Sequence, residues 1–208
     1  MIMMIAIIDY GMGNLKNVKK GFAKVGYEAQ ITDQAADILA ADGVVLPGVG
    51  AFKDAMNNLE EANLVAVIKE VINKDKPFLG ICLGLQLLFT ESEEFGLTPG
   101  LDIIAGRVIK FPDYLDLKVP QIGWNKLNFK QDIKLYQGLE EDVYQYFVHS
   151  YYVDPQNKEV IATSTDYGIE FVSSIAKDNI YAVQFHPEKS SHQGLQILKN
   201  FGKITKEE

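Results

Sequence analysis

The sequence predicts an α/β fold: a central, mostly parallel sheet flanked by helices, with additional antiparallel strands in the second half. Two observations carry this. Through the first half, apolar runs of strand length alternate with stretches of helical periodicity over short connections, the pattern of parallel strands joined by right-handed crossovers. From Ile103 onward the runs become short and β-like and the loops lengthen, as in antiparallel sheet.

Met3 to Asp9 is a continuous Ile-rich run, as expected of a parallel strand buried on both faces. Gly11 and Gly13 then lead into a Lys-rich helix over Leu15 to Val25. The third glycine of a dinucleotide fingerprint is replaced by Lys16, which argues against a nucleotide site. Glu28 to Thr32 reads as a second strand, Asp37 to Asp42 as loop, and Gly43 to Leu46 as a third strand that breaks at Pro47-Gly48-Val49-Gly50. Ala51 to Asn73 carries Phe52, Met56, Leu59, Leu64, Val67, Ile68 and Val71 at helical spacing and reads as one helix. Phe78 to Ile81 is the central strand, followed by a helix from Leu83. Thr90 to Glu94 reads as an acidic tail and Gly96 to Gly100 as a loop. Further strands are predicted at Arg107 to Phe111, Val119 to Ile122, Lys126 to Phe129, Gln145 to Val153, Val160 to Ser164, Glu170 to Ala176 and Tyr181 to Phe185, and Leu195 to Ile204 closes as a helix. No internal repeat, low-complexity tract or linker interrupts the series.

Composition bounds the function. The 208 residues, 47% apolar, suffice for one substantial core, and 1–208 are read as a single domain. A net charge of −8 argues against nucleic acid, because a phosphate-binding surface needs clustered Lys and Arg. One cysteine cannot form an internal disulfide, and without paired Cys or His clusters there is no structural zinc signature, so no metal is expected and the cytoplasm is the default compartment. Met1 to Ile8 is apolar but lacks a basic flank, is too short for a membrane span and runs straight into Asp9-Tyr10-Gly11. It reads as a strand, with no membrane partner.

The chemistry concentrates in two stretches. Phe78 to Leu88 reads as a buried strand, a turn bracketed by Gly80 and Gly84 around Cys82, and the start of a helix. Glycines two residues either side of a nucleophile are what a tight strand-to-helix turn requires, and the orphan N–H groups of the helix start favour thiolate over thiol. The same residues also read as a buried cysteine acting as a small hydrophobe. The second stretch is Gln184-Phe185-His186-Pro187-Glu188. A rigid proline between His186 and Glu188 fixes an extended link, letting the carboxylate hold one imidazole nitrogen while the other faces a thiol. His149 and His192, taken singly, read as structural. The loop at Pro47 to Gly50 is either a simple strand end or a backbone donor to an anion beside Cys82.

Gly80-Ile-Cys-Leu-Gly-Leu-Gln86 together with His186-Pro187-Glu188 resembles the paired motifs of the class I, triad-type glutamine amidotransferases. Within that family, Asp9 to Asn14, Pro47 to Phe52, Gly123-Trp124-Asn125, Tyr146 to Tyr152 and Phe185 to Ser190 are similar to the glutaminase subunits of imidazole glycerol phosphate synthase, and the resemblance runs nearly end to end at a length that suits a free-standing subunit. It implies the class I glutamine amidotransferase fold and no cofactor. It further implies that Cys82 attacks the side-chain amide of glutamine, that His186 hands a proton to departing ammonia, and that Glu188 orients His186. Leu83 and Val49 would supply the oxyanion N–H groups, and Gly50, Gln86, Glu94, His149, Ser150 and Tyr151 would contact glutamine. Ammonia would pass to a (β/α)8-barrel cyclase subunit in a heterodimer of histidine biosynthesis, with Asn14, Trp124 and Lys189 as the docking face and ammonia gate. Gln121 stands where the family pattern has His, which bears on an interface contact and not on the triad. The rival readings are a glutaminase for anthranilate, aminodeoxychorismate or pyridoxal phosphate synthesis, a non-catalytic adaptor on the same fold, and a cysteine peptidase on a related one.

Overall fold

The computed structural model describes residues 4–206, so the predicted strand is seen from Met4 on and its first residue, Met3, lies outside the described residues. The chain runs β1 (Met4–Ile8), α1 (Leu15–Lys24), β2 (Glu28–Thr32), α2 (Ala35–Ala40), β3 (Gly43–Gly48), α3 (Phe52–Glu61), α4 (Leu64–Asn73), β4 (Phe78–Cys82) and α5 (Leu83–Gln86). It continues through β5 (Phe89–Ser92), β6 (Thr98–Pro99), β7 (Ile104–Lys110), β8 (Gln121–Lys126), β9 (Asn128–Phe129), β10 (Tyr144–His149), β11 (Tyr151–Pro155), β12 (Ile161–Asp166), β13 (Glu170–Lys177), β14 (Ile180–Val183) and α6 (Ser191–Ile204).

The main sheet is ordered β2-β1-β3-β4-β14-β13-β11-β7-β5-β6, with β12 and β9 branching from β13. Its core, β2 through β14, is wholly parallel, and the strands beyond β14 are mainly antiparallel. Side chains alternate faces along a strand, so the continuous apolar run of β1 fills two cores. Ile5 and Ile7 pack with Phe22 of α1 and Phe201 of α6, while Ala6 and Ile8 pack on the other side with Leu59 of α3 and Ile68 of α4.

Five local expectations are corrected. Asp37 to Asp42 is not all loop: Ala35–Ala40 is a short helix whose Asp37 accepts from the Thr32 hydroxyl at 3.1 Å and Gln30 Nε2 at 2.9 Å, so the polar residues that suggested a loop brace a helix start. The single helix predicted over Ala51 to Asn73 is two, broken at Asn63, which takes the left-handed φ of 57° that asparagine tolerates. The helix after Cys82 is a single turn, because the chain leaves it at once for β5, which replaces the predicted acidic tail at Thr90 to Glu94. Gln145 to Val153 is two strands in different sheets, parting at Ser150. Finally, Pro187 opens a 3-10 turn, Pro187–Lys189, instead of an extended link.

Strand register positions the site. Gly48 of β3 lies beside Cys82 of β4, and Val183 of β14 lies beside Ile81, so three adjacent parallel strands end together. That edge gathers the Pro47 to Gly50 loop, the Cys82 turn and the Gln184 to Glu188 segment. The separate β8–β10 ribbon closes over it, with the His186 N–H donating to Tyr146 O at 2.9 Å.

Candidate active site

Cys82 sits at the apex of a strained turn, with φ 56° and ψ −112°. A non-glycine residue there costs on the order of 1–3 kcal/mol and is held only where the surroundings dictate it. The glycines dictate it. A Cβ on Gly84 would stand 1.8 Å from Leu46 O, and one on Gly80 would stand 2.8 Å from Gly84 O. The following helix, Leu83–Gln86, is too short to give the dipole expected from the sequence, so activation of Cys82 falls to neighbouring side chains.

His186 is the side chain that does so. Its side chain and that of Glu188 are 2% and 1% exposed, and Nδ1 meets Glu188 Oε1 at 2.9 Å. The other ring nitrogen, Nε2, has no nitrogen or oxygen partner, and Cys82 is the neighbour that acts on this side of the ring. Burial opposes a charge on the imidazole, but the hydrogen bonds and negative charges of Cys82 and Glu188 outweigh it, and the His186 pKa is pushed up to about 10. At neutral pH His186 is therefore held as an imidazolium beside Cys82. The 3-10 turn at Pro187 brings Glu188 back under its own histidine. Ser190 locks the turn: its hydroxyl donates to His186 O at 2.6 Å and accepts from Tyr146 N at 2.9 Å.

A cavity of about 350 Å³ opens above this pair. It is walled by Val49, Gly50 and Leu83 on one side and by His149, Ser150 and Tyr151 on the other, with Gln86 and Glu94 at one end and Lys189 at another edge. Glu94 accepts from the Phe52 N–H through Oε2 at 2.7 Å, which ties it to the first turn of α3 and leaves Oε1 for a ligand. Gln86 is buried, and its Nε2 donates to Tyr151 O and to Gln184 Oε1, both at 3.0 Å. Both amide hydrogens are then committed, so Gln86 meets a ligand only as an acceptor. His149 donates through Nδ1 to Tyr151 O at 2.8 Å and stacks among Phe111, Phe147 and Phe171. Burial, against the bond to Tyr151 and aided by the charge of His186, lowers its pKa to about 4, so it is neutral beside the charged His186.

Trp124, Asn14 and Gln121 do not line the cavity, whereas Lys189 does. Trp124 is half exposed on the outer face of the ribbon, its ring centroid 6.1 Å from that of Tyr146, and Lys189 Nζ stands 5.8 Å over the other ring partner, Tyr146 itself. Asn14 precedes α1 without a side-chain cap. Gln121 is fully buried on the inner face of the ribbon, where its Nε2 donates to Asn125 Oδ1 at 2.8 Å, so it presents nothing to the surface. A larger groove of about 470 Å³ elsewhere has no cysteine or histidine in its lining, and its Lys130 is paired to Glu170 at 2.8 Å.

Sequence reading passed over Gln184. It is fully buried and donates through Nε2 to Cys82 Sγ at 3.7 Å while its Oε1 holds Gln86. Its spacing of two from His186 was the available signal, since residues i and i+2 of an extended segment share a face. Among the described residues, no group of three or more His, Cys, Asp or Glu side chains could hold a metal ion, and no helix is long and apolar enough to cross a membrane.

Residues 6–204 match the family described as Glutamine amidotransferase class-I. The chain is 54% identical to the imidazole glycerol phosphate synthase subunit HisH of Syntrophotalea carbinolica, over 96% of its own length and 99% of the relative's. It is 53% identical to the subunit of the same name from Geobacter sulfurreducens, over 96% and 98%, and 55% identical to that of Aquifex aeolicus, over 94% of each. Among solved structures, PurLQS from Thermotoga maritima aligns with a TM-score of 0.74 at 15% identity, covering 98% of this chain and 99% of that one. A glutamine amidotransferase from Thermotoga maritima aligns with a TM-score of 0.71 at 14% identity over 100% of both. At these identities the structures speak for the fold alone.

Proposed function

We infer the function from one premise: the chain belongs to the class-I glutamine amidotransferase family, and within it to the HisH subunits of imidazole glycerol phosphate synthase. It is the glutaminase subunit of that synthase, acting in histidine biosynthesis. The observation that carries the reading at the level of chemistry is the buried His186 imidazole, held on Glu188 at 2.9 Å beside the buried Cys82.

The reaction we propose needs no group beyond these residues and water. The Cys82 thiolate attacks the side-chain carbonyl carbon of glutamine, and the carbonyl oxygen becomes an oxyanion held by the Leu83 and Val49 N–H groups. Each such donor lowers the barrier by about 3 kcal/mol. Collapse of that intermediate breaks the carbon–nitrogen bond as His186 passes the Nε2 proton to the leaving ammonia. The neutral imidazole then takes a proton from water, whose oxygen attacks the thioester. A second oxyanion collapses, the carbon–sulfur bond breaks, and thiolate, imidazolium and glutamate are left. His149 does not compete as a base or acid, because with a pKa of about 4 it stays neutral at neutral pH, too weak a base to take a proton from water, and its Nδ1 proton is committed to Tyr151 O. Glutamine recognition follows from the free acceptors: Glu94 Oε1 and Gln86 Oε1 face the α-ammonium, with Gly50 and the His149-Ser150-Tyr151 segment completing the cradle.

Released ammonia passes to the cyclase partner. Its docking face is the outer side of the β8–β10 ribbon, where Ile122, Trp124 and Tyr144 expose apolar surface on neighbouring positions next to Lys189, and Asn14, ahead of α1, is assigned to the same interface. The complex works in the cytoplasm. Cys82→Ala, assayed with the cyclase, is expected to abolish glutamine-dependent product while free ammonia still supports synthesis. Unchanged use of glutamine by that variant would overturn the mechanism.

A further inference from the structure

Tyr10 follows β1 at the site edge of the sheet, and the mechanism above makes no use of it. Its side chain is 4% exposed, and its hydroxyl is buried without a hydrogen-bond partner. Leaving such a hydroxyl unpaired carries its full desolvation cost, whereas phenylalanine would fill the same space without that cost. The hydroxyl is also closely held. It lies 2.5 Å from the point that a Cβ on Gly48 would occupy, and that point is 2.9 Å from Leu83 Cβ and 3.2 Å from the Gly84 nitrogen. The phenol hydroxyl thus abuts Gly48, the last residue of β3, on the face of that residue that also meets the nucleophile turn. Burial, and after it the negative charge of Cys82, raises its pKa well above the usual tyrosine range, so it remains a neutral donor.

The candidate acceptor is the carbonyl of Gly48, the residue that the hydroxyl abuts. The planar trans peptide between Gly48 and Val49 points its C=O and its N–H in opposite directions. Turning the Val49 N–H toward the oxyanion in the cavity therefore turns the Gly48 carbonyl away from it. Tyr10 is not among the residues lining the cavity. We propose that Tyr10 is a positioning residue, whose hydroxyl donates to the Gly48 carbonyl when the Gly48–Val49 peptide presents its N–H to the oxyanion. The unpartnered hydroxyl is then the mark of the loop's other setting. The inference rests on the oxyanion role given to Val49.

The test is Tyr10→Phe, measured in the complex with the cyclase and its bound ligand. The kcat for glutamine is expected to fall about tenfold, equivalent to about 1.4 kcal/mol, while KM changes less than twofold and the melting temperature stays level or rises. An unchanged kcat overturns the proposal, and so does a fall in kcat accompanied by a lower melting temperature, which marks a packing role. Cys82→Ala run alongside separates the two levels. Glutamine turnover surviving in Cys82→Ala removes the reading of the site itself; an inert Cys82→Ala beside an unimpaired Tyr10→Phe removes only the assignment of Tyr10.

Discussion

The two halves of the site are built to different standards of rigidity. The His186–Glu188 half is nearly inaccessible to solvent, joined by a 2.9 Å bond and locked through Ser190 to the neighbouring ribbon. The Val49–Gly50 half is a loop with Val49 40% exposed and Gly50 at φ 99°, tethered at its far end by Glu94 on the Phe52 N–H. One half is fixed by packing before any substrate arrives. The other has room to change, and in the proposed mechanism that change sets whether an oxyanion donor is present. A glutaminase that hands ammonia to a partner gains from this division, because nucleophile and acid stay ready while turnover waits on the loop.

The largest effects should come from the fixed half. His186→Ala is expected to lower glutamine-dependent kcat by at least about 10⁴-fold, read in a coupled glutamate assay, since both the thiolate's partner and the general acid are lost. A smaller loss would mean that the rigid half matters less than its geometry implies. Glu188→Gln keeps the shape and removes the charge, and kcat should fall by about 10³-fold. It also carries a pH signature. In the wild-type complex kcat/KM should hold on the alkaline side until pH passes about 10, where His186 loses its proton, and in Glu188→Gln that limb should move to lower pH.

The loop should answer more mildly. Gly50→Ala forces an L-residue into positive φ and sets its Cβ 2.6 Å from the flexible Met12 Cε. We expect stability to drop by about 1–2 kcal/mol in urea unfolding and kcat to fall about tenfold at little change in KM. Equal sensitivity of Gly50→Ala and Glu188→Gln would erase the contrast between the halves.

The smallest effect is on stability alone. His149 has its folded pKa depressed to about 4, below the unfolded value near 6.5, so between those pH values the unfolded chain binds a proton that the folded chain refuses. Its contribution is complete above pH 6.5 and is lost as pH falls through about 4. Unfolding free energies measured between pH 6.5 and 4.5 should decline less steeply in His149→Asn than in wild type, by about 2 kcal/mol over that span.

What could be read in the chain tracks how local each feature is. Gly80, Cys82 and Gly84, or His186 and Glu188, are close in sequence, and the steric and electrostatic demands on each set are local, so both halves of the triad were legible. The parallel core was legible too, since β1 and β3 bury both faces and show it as unbroken apolar runs. Gln184 escaped because its role depends on Cys82, a residue on another strand. Asn63 escaped because apolar spacing carries across a helix break when both helices pack the same core. The helix after Cys82 was overestimated because Leu85, Leu87 and Leu88 are buried whether the chain coils on or turns into β5. Tyr10 has no sequence signal at all; only its missing partner shows it.

The central claim is that the triad is complete in the lone chain and the oxyanion loop is not. It is tested most directly by kcat and KM for glutamine in the isolated subunit and in the complex with the cyclase carrying its ligand. The account predicts a rise in kcat of about 10²-fold or more on forming the liganded complex, near the worth of one oxyanion donor, with KM close to constant. Equal kcat in the two states would contradict it.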